Sequence, residues 1–103
     1  MKTIEMAENL GLDIEDINEL IELYTVSTTS DLAELTTAIE NGDTEKAHEK
    51  AHSIKGSSGN LGFDELYKLA KEIDDRARTK SLEGLDNLVH ILHEKYTTLV
   101  KEL

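Results

Sequence analysis

An all-α fold, an antiparallel up-down-up-down four-helix bundle with a short N-terminal helix, is predicted by three features of the sequence. The chain of 103 residues contains no proline, so no residue forces a kink or break through its ring. Apolar residues recur at steps of three and four over long stretches, the period of a helix with one buried face. The six glycines sit near probable element ends or in one run around His52. A chain of this length closes a single core without disulfide or metal staples, so residues 1–103 read as one domain. Linkers, repeats and low-complexity tracts are not evident.

The elements follow from punctuation and phase. Ile4, Met6 and Leu10 predict a short leading helix that covers one end of the bundle. After Gly11, Asp13 is a candidate N-cap for the first long helix. Ile17, Ile21, Tyr24, Thr28, Leu32, Leu35 and Ile39 keep its apolar phase as far as Asn41-Gly42. The run Thr25-Val26-Ser27-Thr28-Thr29-Ser30 is poor in helix formers and a candidate break into two helices, but the phase survives across it and favours one long helix with a kink allowed there. Asp43 caps the second, whose inward stripe is Ala47, Ala51, Ile54, Ser58 and Leu61, and Gly62 ends it. Asp64 is expected to cap the third, with Leu66, Leu69, Ala70, Ile73 and Ala77 inward, before a turn at Thr79-Lys80-Ser81. The last is expected from about Leu82 to Glu102 on Leu85, Leu88, Val89, Leu92, Tyr96, Leu99 and Leu103. Short connections between long amphipathic helices make neighbours antiparallel.

Composition narrows the function. With 22 acidic against 11 basic residues the net charge is −11, a field that disfavours nucleic acid and anionic membranes as partners. There is no cysteine, which removes thiolate metal sites and suits a reducing compartment. Apolar runs are too short to span a bilayer, and Glu5 and Glu8 stand where a signal peptide needs its apolar segment. These features predict a cytoplasmic, monomeric protein.

The most informative stretch is Ala51-His52-Ser53-Ile54-Lys55-Gly56-Ser57-Ser58-Gly59-Asn60-Leu61-Gly62. On a helix, Lys55, Gly56 and Gly59 fall on the same side as His52. The apolar stripe centres ~140° from His52 at 100° per residue, so the imidazole faces solvent. Two mid-helix glycines cost about 1 kcal/mol each relative to alanine, which makes sense if a macromolecule must reach the imidazole. A neutral imidazole is a good nucleophile at cellular pH. The second and third helices form a hairpin about Phe63, and His52 and Asp74 are equidistant from it. Asp74 is therefore the candidate to orient the inner ring nitrogen, directly or through water.

This run resembles the phosphoacceptor motif of histidine-containing phosphotransfer (HPt) domains, His-x-x-Lys-Gly-small-small-x-x-x-Gly. Here it reads His52, Lys55, Gly56, Ser57, Ser58 and Gly62, with every position present. The resemblance implies a phosphorelay intermediate in two-component signal transduction. His52 would take a phosphoryl group from the aspartate of one receiver domain and pass it to another. Lys55 would offset the added charge of roughly −1.5 to −2, while Gly56, Ser57 and Gly59 would clear the docking surface. HPt domains often carry glutamate or glutamine where Asp74 stands, one methylene longer. Neither a Mg²⁺-binding carboxylate cluster nor a nucleotide loop is evident. The implied protein is thus a phosphocarrier without catalytic machinery or cofactor of its own, and Mg²⁺ belongs to its response-regulator partner.

Other readings compete. The Ser-Ile-Lys-Gly and Gly62-Phe63 details are similar to the phosphoacceptor domain of chemotaxis histidine kinases, which would make this chain an excised module that receives phosphate from ATP through a kinase domain, with a hybrid or chemotaxis-type kinase as a further partner. A helical binding module without phosphotransfer is another class. His48-Glu49-Lys50-Ala51-His52 spells the HExxH pattern of zinc proteases. Only Glu72, Asp74 or Asp75 would be near enough to supply a third ligand, the chain has no residues for a second subdomain, and the glycines stay unexplained. The sequence therefore predicts no metal site, and His48, His90 and His93 read as boundary histidines.

Overall fold

The computed structural model describes residues 2–103; Met1 lies outside the described residues. Five helices follow one another: α1 (Lys2–Leu10), α2 (Ile14–Glu40), α3 (Thr44–Asn60), α4 (Asp64–Arg78) and α5 (Leu85–Glu102). Helix α2 packs on α3, α3 on α4, α4 on α5, and α5 returns to α2, closing a ring of four antiparallel helices. The chain is all-α among the described residues. At 1.5 Å per residue α2 runs about 40 Å, close to the 42 Å long axis of the molecule. Helix α1 turns back onto α2.

Helix α2 is continuous across Thr25–Ser30, and the hydroxyls of Thr25 and Thr29 have partners that leave the helical ladder intact. Thr25 Oγ1 donates to the Ile21 carbonyl at 2.7 Å, and Thr29 Oγ1 lies 2.8 Å from the Tyr96 hydroxyl. The latter in turn donates to the Thr25 carbonyl at 3.0 Å, tying α5 to α2. Ile17, Leu32, Leu35, Ile54, Ile73, Leu85 and Leu92 form the fully buried centre of the core. Each such side chain contributes about 1.5–3 kcal/mol on leaving water. The Tyr24 ring meets Phe63 edge-on at 5.1 Å between centroids and Tyr96 at 6.1 Å. Burial pushes the Tyr24 phenol above its ordinary pKa, although a hydrogen bond with Ser58 works against that.

Two boundaries and one buried face differ from expectation. Phe63, not Asp64, occupies the N-cap of α4, since its ring is drawn into the core beside Tyr24. Asp64 and Glu65 instead form the first turn, where the helix dipole favours acidic groups. Helix α5 starts at Leu85 rather than about Leu82, because Gly84 stands before it at φ 77°, a left-handed conformation that interrupts any helix. In α1 the buried residues are Met6 and Ala7, whereas Ile4 and Leu10 are exposed. The predicted Asp43 cap of α3 forms through its side chain, which accepts from the Lys46 amide at 3.0 Å.

Candidate functional site

Helix α3 owes its placement to small residues on its inner face. Ala47, Ala51, Ile54 and Ser58 are all fully buried. Ser58 meets the Tyr24 hydroxyl at 2.9 Å, so this member of the glycine-serine run serves the core. On the opposite side the His52 ring is 58% exposed. A methyl group placed on Gly56, one turn further on, would touch nothing within 4 Å beyond its own helix.

Beneath the imidazole lies a carboxylate that the sequence pattern did not mark as buried. The Asp74 side chain on α4 is wholly inaccessible to solvent. Its oxygen Oδ2 faces Nδ1 of His52 at 3.4 Å and accepts from Nζ of Lys55 at 3.3 Å. Its oxygen Oδ1 faces Nδ1 of His48 and accepts from Nε of Arg78 at 3.2 Å. Burial alone would raise the Asp74 carboxyl, but hydrogen bonds from His48, Arg78 and Lys55 outweigh it and hold the carboxyl below its ordinary value. The group is therefore ionised at neutral pH, and an ionised carboxylate only accepts hydrogen bonds. Any ring nitrogen bonded to it must carry the proton. With the proton on Nδ1 of His52, the lone pair resides on Nε2, the nitrogen remote from Asp74.

Two further expectations change with the structure. Gly59 was expected to clear the path to His52. Yet a Cβ there would lie 3.1 Å from Cδ2 of Tyr67, so its missing side chain makes room for a ring from α4. Ser57 was grouped with the cleared surface, but it is half-buried and donates to the carbonyls of Ser53 and Ile54 at 3.1 and 3.3 Å. Five residues of helix turn it about 140° from His52.

Both histidines of the HExxH pattern turn Nδ1 toward Asp74. Among the described residues no group of three or more histidines, aspartates and glutamates is arranged to hold a metal ion. His90 is exposed and pairs with Glu94 at 2.9 Å, and His93 is exposed as well. Residues His48 and Arg78 were missed as members of the site. Each stands four positions from a residue already singled out, His48 before His52 and Arg78 after Asp74, and that spacing places neighbours on one helix face.

The four-helix bundle thus presents an exposed imidazole over a buried carboxylate, with a lysine one turn on. The profile of the Hpt domain matches residues 19–102, and the chain belongs to the Hpt domain family. Domains of this family carry phosphoryl groups on histidine in two-component signal transduction and interact with receiver domains. The match spans the four bundle helices except the first turns of α2, and α1 precedes it. Comparison with curated proteins and with solved structures gave no match. No helix among the described residues is long and apolar enough to cross a membrane.

Proposed function

We propose that this chain is a phosphorelay intermediate whose acceptor atom is Nε2 of His52. The observation that carries this reading is the exposed His52 ring set with its Nδ1 against the buried, ionised Asp74. In the transfer step the Nε2 lone pair attacks the phosphorus of a receiver-domain aspartyl phosphate. The Nε2–P bond forms, the acyl-phosphate P–O bond breaks, and the electron pair leaves on the receiver's carboxylate. The ring gains positive character as the new bond forms. Its Nδ1–H remains directed at Asp74, where a preorganised negative charge stabilises the developing cation. Lys55 lies one turn from the nucleophile and meets the three new phosphoryl oxygens with a mobile positive charge. The reverse step delivers the group to a second receiver.

Gly56 leaves the surface beside His52 low enough for a receiver to bring its aspartate in line. This chain supplies the nucleophile and its orientation, and the receiver supplies Mg²⁺ and the rest of the charge stabilisation. The reading needs no cofactor of the chain's own, no nucleic acid and no second copy.

Incubation with a panel of phosphorylated receiver domains, followed by detection of acid-labile phosphate, tests the reading. A chemotaxis-type kinase domain with ATP forms a second donor arm. His52→Gln is expected to keep the fold and lose all labelling. Phosphate that persists in that variant, or maps to His48, His90 or His93, would overturn the assignment.

A further inference from the structure

Asp74 has four donors, and they divide evenly between its oxygens. His48 and Arg78 take Oδ1, whereas His52 and Lys55 share Oδ2. The division has a mechanical consequence. The carboxylate torsion of aspartate is broad and about twofold, so nothing intrinsic to Asp74 decides which oxygen faces His52 or at what tilt. Two donors from two different helices, α3 and α4, converge on Oδ1 and fix the plane. Resting on the assignment of His52 as acceptor, we propose that His48 is a positioning residue for it. With Arg78, His48 anchors Oδ1 of Asp74 and keeps Oδ2 on the Nδ1–H of His52, leaving Lys55 free to follow the phosphoryl group.

Charge compensation supports the same assignment. Of the four donors, the Lys55 ammonium sits on the most flexible stem and lies one turn from the nucleophile. Moving it to a phosphoryl group on Nε2 takes one cation away from a carboxylate that has no access to water. An uncompensated buried charge is costly. His48 and Arg78 remain on Oδ1 after Lys55 departs, so the anion keeps a donor from each side of the seam. The HExxH spelling of this segment thus has a use without metal. Its first histidine turns Nδ1 to the Asp74 carboxylate, beside the Nδ1 of His52.

The test uses potassium phosphoramidate, a donor that phosphorylates imidazole directly and requires no protein partner. The P–N bond of the donor breaks, ammonia leaves, and the phosphoryl group passes to Nε2. Rates are measured for the parent, His48→Leu, His48→Asn, Arg78→Met and His52→Gln, and the tautomer of the His52 ring is read from its nitrogen chemical shifts. His48→Leu removes the donor. It is expected to slow phosphorylation about fivefold, the equivalent of one ordinary hydrogen bond of about 1 kcal/mol, and to lower the fraction of the Nδ1–H tautomer. His48→Asn keeps an N–H near the position of Nδ1 and is expected to restore both readouts to within about twofold of the parent. Arg78→Met is expected to shift the tautomer in the same direction as His48→Leu.

A parental rate and tautomer in His48→Leu would overturn the inference, as would His48→Asn behaving like His48→Leu. If the leucine variant fails to fold, an unshifted tautomer in Arg78→Met overturns it instead. Labelling that survives in His52→Gln strikes the acceptor assignment itself, a result distinct from any of these.

Discussion

Helix α3 lies between two neighbours, and each buries one aspartate against it. On the α2 side Asp31 accepts from the Ser53 hydroxyl at 2.7 Å, with the Lys50 ammonium 3.8 Å away and drawn more closely to Glu34 at 2.7 Å. On the α4 side Asp74 holds two imidazoles, an ammonium and a guanidinium. Asp31 keeps an edge in solvent, and its nearest donor is a neutral hydroxyl. Asp74 has no solvent, and its charge is met by groups that carry or can carry positive charge. The first arrangement stitches two helices together. The second stores a fixed negative charge under a nucleophile, with the burial that makes such a charge effective. The same residue type at two seams of one helix thus does two jobs, and the difference lies in what surrounds it.

The contrast breaks most directly by truncating each carboxylate. Asp74→Ala is expected to slow transfer to His52 about tenfold, since a hydrogen bond to a charged group contributes about 1.5–3 kcal/mol. It should cost only about 1–2 kcal/mol in stability, because Arg78 and His48 already reach solvent and can rehydrate. Asp31→Ala is expected to cost about 1 kcal/mol and to leave transfer within about twofold of the parent. Urea denaturation and phosphoramidate kinetics on both variants give the two numbers side by side. Equal effects on transfer would mean that the two seams are not functionally distinct.

Acid sharpens the comparison. The Asp74 carboxyl is held below its ordinary value by its donors, so its folded pKa lies under the unfolded value of about 3.9. A depressed carboxylate contributes stability that is complete above the unfolded value and lost as pH falls through the folded one. The parent is therefore expected to lose stability faster than Asp74→Ala as pH drops below about 4. Denaturant midpoints measured from pH 5 to pH 2.5 check this. A difference that stays constant through the acid limb would show that Asp74 is not selectively stabilised as the anion.

Much of this was legible in the sequence, and the parts that were not share a cause. The helices, the inward stripes and the unbroken α2 follow from periods along one strand of chain. The hairpin count set Asp74 opposite His52 for the same reason. What a single-helix wheel does not contain is the neighbour. Asp74 and Asp75 look alike as an acidic pair, yet only Asp75 is exposed, because α3 covers one and solvent the other. Nothing on α4 alone shows that the i,i+4 partner of Arg78 is buried. His48 reads as a boundary residue because the carboxylate that uses it comes from α4. Gly59 shows the same blindness in reverse. Its wheel position matches His52, but the ring of Tyr67 that fills the space belongs to the next helix.

The two glycines yield the smallest effect and separate packing from clearance. Both sit inside α3, where alanine is favoured over glycine by about 1 kcal/mol. At Gly56 a methyl group meets no neighbour, so Gly56→Ala is expected to stabilise the fold by close to that amount. At Gly59 the methyl would press Tyr67 at 3.1 Å, and the strain is expected to cancel the helical gain. A chain that leaves this stabilisation unused at Gly56 has a reason outside its own fold, and the reading above supplies one. Gly56→Ala should then slow transfer from a phosphorylated receiver while phosphorylation by phosphoramidate, a donor small enough to pass the methyl, proceeds at the parental rate. Gly59→Ala should alter neither rate by more than about twofold, the scatter of a conservative change away from the reacting atoms. If Gly56→Ala transfers at the parental rate from both donors, the open surface beside His52 is not where a receiver approaches.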